Sequence, residues 1–449
     1  MTGLDPGATA AAAAPGSRPS EVARFAEVDQ LGDALRTGVA EVTAVAGDFG
    51  NRVRRVPVAV LRPRTPDDIV AAVRFGARLG IPVVPRGAGH AVDGQAQTGR
   101  GIVVDLTTLA GVGRPDADRI SVGAGARWGA VLDATLPAGL MPPVLPDFLE
   151  LTVGGTISAG GVGGASHHHG SVSDNVIDLD VITPDGDLVL CSADRERARF
   201  DGVRGTQGEH GVIARVTLRL TAAPAGARRY LLRYADLATF VADQLRLAVE
   251  GRFAHVLGQI VYDPAGRLSF FLEAAATFTA ESAADEPDDE ALLRDLNHQG
   301  IEAIQTLALR DFLGRLAPLT AQLRATGSWQ TDPHPRCNVM LPGESVERIA
   351  SGVLDGLTPR LLGPGGSILF IPIPTARIVA PNVPKATSDE LTVLFGLQRT
   401  APAGDRELVR LMRAANSALY SEAETAGGTG YTALSAYHMK RAESEPGRQ

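Results

Sequence analysis

From residue 57 onward the apolar and polar positions switch between two periods, one of extended chain and one of helix. Pro57-Val58-Ala59-Val60-Leu61 is a short continuous apolar run, the pattern of a buried strand with its proline at the first position, where no ladder bond is lost. Thr65-Pro66-Asp67-Asp68 follows. An N-cap residue, a proline at the first helical position and acidic groups in the first turn predict a helix. Ile69, Val70, Val73 and Ala77 mark its inner stripe and Gly80 its end. Residues 81–85, 101–106 and 119–125 read as further strands, and 128–136 as a helix. Residues 176–183 alternate into a strand, Pro184-Asp185-Gly186-Asp187 makes a turn, and 188–191 returns as the second arm of a hairpin. A strand over 214–220 closes this half.

The texture changes near residue 222. Residues 228–245 predict a strand and then a helix, and 253–261 and 268–275 two strands facing each other. The acidic run 281–290 reads as a solvated loop. Residues 357–364 lead into a buried strand over 367–371. A strand over 391–397 and a helix over 406–422 complete an α+β pattern.

Length and composition narrow the classes. The 449 residues suffice for two domains, and 44% hydrophobic with 21% charged residues is ordinary for a globular chain. A net charge of −8 argues against a nucleic-acid binder. Cys191 and Cys337 are too far apart in sequence to form a metal motif or a disulfide framework, and read as buried small hydrophobes. The alanine- and proline-rich start lacks a basic n-region and a strong apolar core, so residues 1–40 are read as a partly disordered leader. No run approaches the ~18 apolar residues that span a bilayer; no membrane association is expected, and the default compartment is the cytoplasm.

Candidate chemistry concentrates in glycine-rich loops. Arg86-Gly87-Ala88-Gly89-His90, continuing through Gly94-Gln95-Ala96, sits between two predicted strands. Glycines let backbone N–H groups approach an anion, and an arginine fork suits a pyrophosphate. From these residues alone, two readings stand: a flavin site with His90 as a covalent tether, or a glycine-rich turn with a solvent-facing histidine. Residues 151–164 carry six glycines, consistent with backbone lying close to a large flat ligand, and 205–213 add another glycine loop. Gly123-Ala124-Gly125-Ala126-Arg127-Trp128 fails the dinucleotide fingerprint at its sixth position, which excludes an NAD-type fold. His167-His168-His169 are consecutive and point in different directions, so no metal site is expected there.

Taken together, these blocks resemble flavoenzymes of the vanillyl-alcohol oxidase superfamily, most closely the cytokinin dehydrogenases, over roughly residues 48–420. The motifs that carry the likeness are 86–90 with 94–96, 147–156 (Asp-Phe-Leu-Glu-Leu-Thr-Val-Gly-Gly-Thr), His169-Gly170 with Asn175-Val176, 205–213, and Gly327-Ser328-Trp329 with Pro333-His334-Pro335 and Asn338. The resemblance implies a two-lobed, PCMH-type FAD-binding domain over 41–222 and an α+β substrate domain over 223–405 whose sheet covers the flavin. Residues 406–449 would then return toward the FAD domain, shortened relative to the family. FAD would be bound covalently through His90. Arg86, Gly87, Ala88 and Gly89 would hold the pyrophosphate, with Gln95, Thr156, Ser158, Gly160, Gly161, Val212 and Ile213 completing the cofactor site. Asp147 would be the general base of an oxidase or dehydrogenase that removes hydride from a C–H next to nitrogen. The electron acceptor would be O2 or a separate acceptor. No cysteine lies between His90 and Gly163, so a second, cysteinyl tether is absent.

The substrate side departs from the family at two positions among Leu257, Arg336 and Asn338. Leu257 stands where the family carries a glutamate that grips adenine, a charge-assisted hydrogen bond worth ~1.5–3 kcal/mol, or about one to two powers of ten in affinity. Arg336 stands where an aromatic residue is expected, replacing an apolar wall by a cation. Both favour a small-molecule substrate other than a cytokinin. An alcohol or sugar oxidase of the same superfamily and a catalytically weak flavin-binding protein are the alternatives.

Overall fold

The computed structural model describes residues 28–279, 287–388 and 390–431. The first 27 residues of the expected leader and the last 18 of the expected C-terminal segment lie outside the described residues.

The first half holds two four-stranded sheets. In one, Ala59–Leu61 and Val83–Arg86 run parallel to the shared central strand Ile102–Asp105. The other is antiparallel, in the order Arg119–Gly123, Val212–Arg219, Val176–Ile182, Leu188–Ser192. The helix Pro66–Leu79 starts as its sequence predicts: Thr65 and Asp68 form a capping box, and Gly80 ends the helix at φ +66°. Its buried face, Ile69, Ala72 and Phe75, packs on Leu61, Ile102 and Val104 of the first sheet and on Ile182, Val212 and Ala214 of the second. One amphipathic helix thus packs against both sheets in one shared core. The chain enters this core earlier than residue 41: Leu35–Arg36 pairs with Ala59–Leu61, and Ala34 and Leu35 are buried.

The Gly123–Trp128 stretch does leave a strand and open a helix, Trp128–Thr135, but the strand belongs to the antiparallel sheet. A Rossmann site requires parallel strands there.

The second half is one eight-stranded antiparallel sheet. Its order is Gly300–Ala308, Gly226–Tyr234, Leu268–Phe278, His255–Tyr262, Ser367–Pro374, Leu391–Gln398, Cys337–Pro342, Thr429–Gly430. One face is covered by the helices Leu237–Glu250 and Gly343–Gly356, whose Phe240, Val241, Leu247, Val346 and Ile349 interdigitate with Val256, Leu272, Val339, Phe370 and Phe395. Each such side chain contributes roughly 1.5–3 kcal/mol on burial. Three differences from the sequence reading stand out. The edge strand Gly300–Ala308 is mostly exposed and lacks a clear alternation. The run 281–290 does not end as a free loop: Asp288 caps a short helix, Asp289–Leu293, and Asp289 accepts hydrogen bonds from Arg228 and Tyr230. The helix Arg406–Thr425 packs its Leu419 and Ala423 on this eight-stranded sheet rather than on the first half. Beyond that helix, the Tyr431 hydroxyl oxygen accepts the N–H of Gly161 in the first half at 2.8 Å. Among the described residues, no helix is long and apolar enough to cross a membrane.

Candidate functional site

The loop after Val83–Arg86 brings His90 against an aromatic wall. Its ring stacks on Phe49, 5.5 Å between centroids, meets Trp329 edge-to-face at 5.2 Å, and lies tilted to Phe148 at 6.2 Å. Phe49 and Phe148 belong to the first half, Trp329 to the second. The wall is therefore built across the boundary, and Asn51 fixes it by donating to the carbonyls of Trp329 and Asp332. Neither ring nitrogen of His90 has a well-formed hydrogen bond, although both are buried. Burial, reinforced by the nearby Arg336 charge, pushes the imidazole down to about 3. It stays neutral at physiological pH, with its ring lone pair intact.

Along the same loop, Nη1 of Arg86 is buried without a partner, and burial lowers the guanidinium's affinity for its proton. Gly89 has φ +75°, and a Cβ there would come within 2.3 Å of the Arg86 guanidinium. Asp48 accepts the Gly94 N–H at 2.6 Å through Oδ2, while Oδ1 is buried and unpaired; burial raises this carboxyl to about 6. Buried polar groups ordinarily have partners. Three orphaned groups on adjoining loops are what a site for a large polar cofactor leaves when described without it. The residues present fit FAD: a neutral imidazole to tether a ring, an arginine fork and open backbone for a pyrophosphate.

The remaining expected cofactor residues differ in what their side chains do. The Thr156 hydroxyl is engaged within the protein, accepting from Trp128 Nε1 and donating to the Thr152 carbonyl, both at 2.9 Å. Val212 and Ile213 are buried in opposite cores of the first half, so only their backbone could face a ligand. Gln95 folds back to accept the Asp93 N–H, and Ser158 uses its carbonyl to hold Gln207 N–H. Gly87 is closed over by Thr152, Gly160 by Val383, and the Gly161 N–H is taken by Tyr431. Ala88 lies between Gly87 and Gly89 and is partly buried.

Asp147 sits in a second group of charges. Arg315 Nη2 donates to its Oδ1 at 2.8 Å, and Arg315 Nε donates to Glu273 Oε1 at 2.6 Å. Arg229 Nε reaches the other oxygen of Glu273 at 2.8 Å. His255 Nε2 lies 3.2 Å from Arg315 Nη2 and 3.4 Å from Glu273 Oε1. Burial works against the Glu273 charge, but the His255 hydrogen bond and the Arg315 and Arg229 charges outweigh it and hold the carboxyl well below the usual range.

Leu257 is directly opposite Glu273 across the pair of strands His255–Tyr262 and Leu268–Phe278, so the two side chains share a face. Leu257 itself is buried among Met340, Ile371 and Leu394. The Arg336 guanidinium lies 4.5 Å from the Phe49 ring centroid, with Nε unpaired, and burial pulls it down to about 10. Asn338 accepts from Gln398 Nε2 at 3.0 Å. The ring nitrogens of His167 lie 2.9 and 2.8 Å from the carbonyls of Gly164 and Phe253, which accounts for that histidine within the fold.

Sequence reading missed Arg315, Glu273, His255, Asp48 and Phe49. Glu273 left a signal, as the lone charge in an otherwise apolar strand; a buried charge is almost always paired. Arg315 left none.

Two family descriptions match the chain, an FAD binding domain over residues 57–192 and "Cytokinin dehydrogenase 1, FAD and cytokinin binding" over 254–443. An uncharacterized oxidoreductase, ORF5 of the fasciation locus of Rhodococcoides fascians, is 38% identical over 391 residues, covering 87% of each chain. Cytokinin dehydrogenase 7 of Oryza sativa subsp. japonica is 33% identical, covering 83% of this chain and 79% of its own. Cytokinin dehydrogenase 5 of Arabidopsis thaliana is 30% identical, covering 88% and 79%. With the FAD-fitting loop and this extent of likeness together, the chain belongs to the cytokinin dehydrogenase-like family of FAD-dependent oxidoreductases.

Proposed function

We propose that this chain oxidises a small molecule at a C–H next to nitrogen, with FAD tethered through His90 and Asp147 as the base. The observation that carries the reading is the buried, neutral His90 imidazole, neither of whose nitrogens makes a well-formed hydrogen bond among the described residues. Arg86 and the backbone of Gly87, Ala88 and Gly89 would hold the pyrophosphate, and the Phe49, Phe148 and Trp329 rings exclude water around the tether. Bound FAD would supply the hydride acceptor. The chain's own step is proton transfer. Oδ1 of Asp147 is taken by Arg315, whereas Oδ2 carries no hydrogen bond among the described residues and is the atom that accepts the substrate N–H proton.

The substrate differs from a cytokinin. Leu257 cannot accept from an adenine N–H, and the carboxylate beside it, Glu273, is occupied by Arg229 and Arg315. Arg336 adds a cation near the tether whose Nε has no hydrogen-bond partner among the described residues, which suits an amine that also carries a polar or anionic group. Two measurements test the proposal. Acid precipitation should leave the yellow colour in the protein pellet of the native chain and release it from His90→Ala; free FAD from the native chain would remove the tether. Anaerobic bleaching should occur with secondary amines and not with polyols. Bleaching by polyols alone would make the chain an alcohol or sugar oxidase. If dithionite reduces the flavin and neither donor class does, the site is a binding site without turnover.

A further inference from the structure

Arg315 links three elements that are remote in sequence: the Asp147 loop of the first half, the Glu273 strand in the substrate sheet, and the segment following the short helix Leu309–Leu313. Its guanidinium is fixed on every side. Nε is bound by Glu273, Nη2 by Asp147, and the plane lies 4.9 Å from the Phe312 ring centroid. Side-chain exposure is 11% for Arg315, 12% for Glu273 and 18% for Asp147, so water screens these charges poorly. Docking of the two halves does not need this link. His334 N–H donates to the Gly50 carbonyl, Asp174 accepts from the Val379 and Ala380 N–H groups, and Arg310 pairs with Asp133 at the surface.

We propose that Arg315 is the positioning residue of the Asp147 base: it occupies Oδ1 so that only Oδ2 can take the proton, and it is itself locked by Glu273. The kinetic half of this inference rests on the reading of Asp147 as the base; the electrostatic half does not. Glu273 tempers the Arg315 charge felt by Asp147, so the two neighbours pull on the base in opposite directions. The charged and titratable groups around Asp147 are Arg315 and, behind it, Glu273, Arg229 and His255.

The test is the pH profile of flavin reduction, together with melting temperature against pH in the absence of substrate, on flavin-loaded protein. Arg315→Gln should displace the acidic limb upward, the direction expected when an opposite charge in contact is lost. Arg315→Lys should restore most of that shift. Glu273→Gln should move the limb the other way, to lower pH, and it serves if Arg315→Gln fails to fold. The melting-temperature deficit of Arg315→Gln, or of Arg315→Lys if the glutamine variant does not fold, should be largest near neutrality and narrow in acid, as the Glu273 contribution is lost. An unshifted limb in Arg315→Gln, a shift of the same sign in both charge-removing variants, or a melting deficit independent of pH would each overturn the proposal. Normal flavin reduction in Asp147→Asn would sink the base reading alone, and the melting curves would still decide the electrostatics.

Discussion

At the His90 loop the buried imidazole nitrogens make no well-formed hydrogen bond and Arg86 Nη1 has no partner among the described residues, whereas at Asp147 two carboxylates meet two guanidinium groups and a histidine in a closed network. The two regions lie in one protein and are built from similar residue types. Their contrast separates two kinds of site. Unmet polar groups mark where the protein expects a bound molecule to complete the hydrogen bonding, because leaving a buried polar group unpaired costs about 1–3 kcal/mol each. A closed network marks machinery set in place before any ligand arrives, with little reorganisation left for the moment of reaction.

The contrast can be broken most sharply at Asp147. Asp147→Asn keeps the shape and should keep the flavin, while slowing substrate-driven bleaching by about 10²- to 10⁴-fold, the range for loss of a general base; stopped-flow absorbance reads it directly. Next in size is Glu273→Gln. Removing one partner from a buried ion network costs about 3–5 kcal/mol, measured as lost unfolding free energy near neutrality. The sign with pH follows from its lowered pKa: the Glu273 contribution is complete above the unfolded value near ~4.3 and is lost as pH falls below it. Melting curves of native chain and variant should therefore converge in acid; a constant gap would mean that the charge is not what stabilises. The smallest effect is expected at Thr156→Val, which strands the Trp128 indole N–H at a cost of about 1–3 kcal/mol. Flavin content should stay unchanged. Flavin loss instead would restore Thr156 to the cofactor site.

Much of the first half was legible in the chain, and for a local reason. The Thr65–Gly80 helix signals, the hairpin over 176–192 and the glycine loop at 86–90 are each specified by neighbours in sequence, and the structure reproduces them within one or two residues. The tether candidate was legible because glycine and histidine in one loop carry a chemical pattern. The Asp147 network was not legible. Asp147, Glu273 and Arg315 stand 42 to 168 residues apart and meet only after the large sheet has formed. Arg315 follows a short helix with no feature that separates it from a surface arginine such as Arg310. The helix Arg406–Thr425 shows the same limit: its apolar stripe shows that it packs, not on which partner.

The cross-strand pairing of Leu257 with Glu273 makes the two positions epistatic. Adding a glutamate at 257 alone would set like charges face to face, a destabilising arrangement in a sheet, with Arg229 and Arg315 already committed. Transplanting purine preference into this scaffold therefore takes a reciprocal exchange, with acid at 257 and an uncharged residue at 273. That exchange would in turn release Arg315 and retune the base.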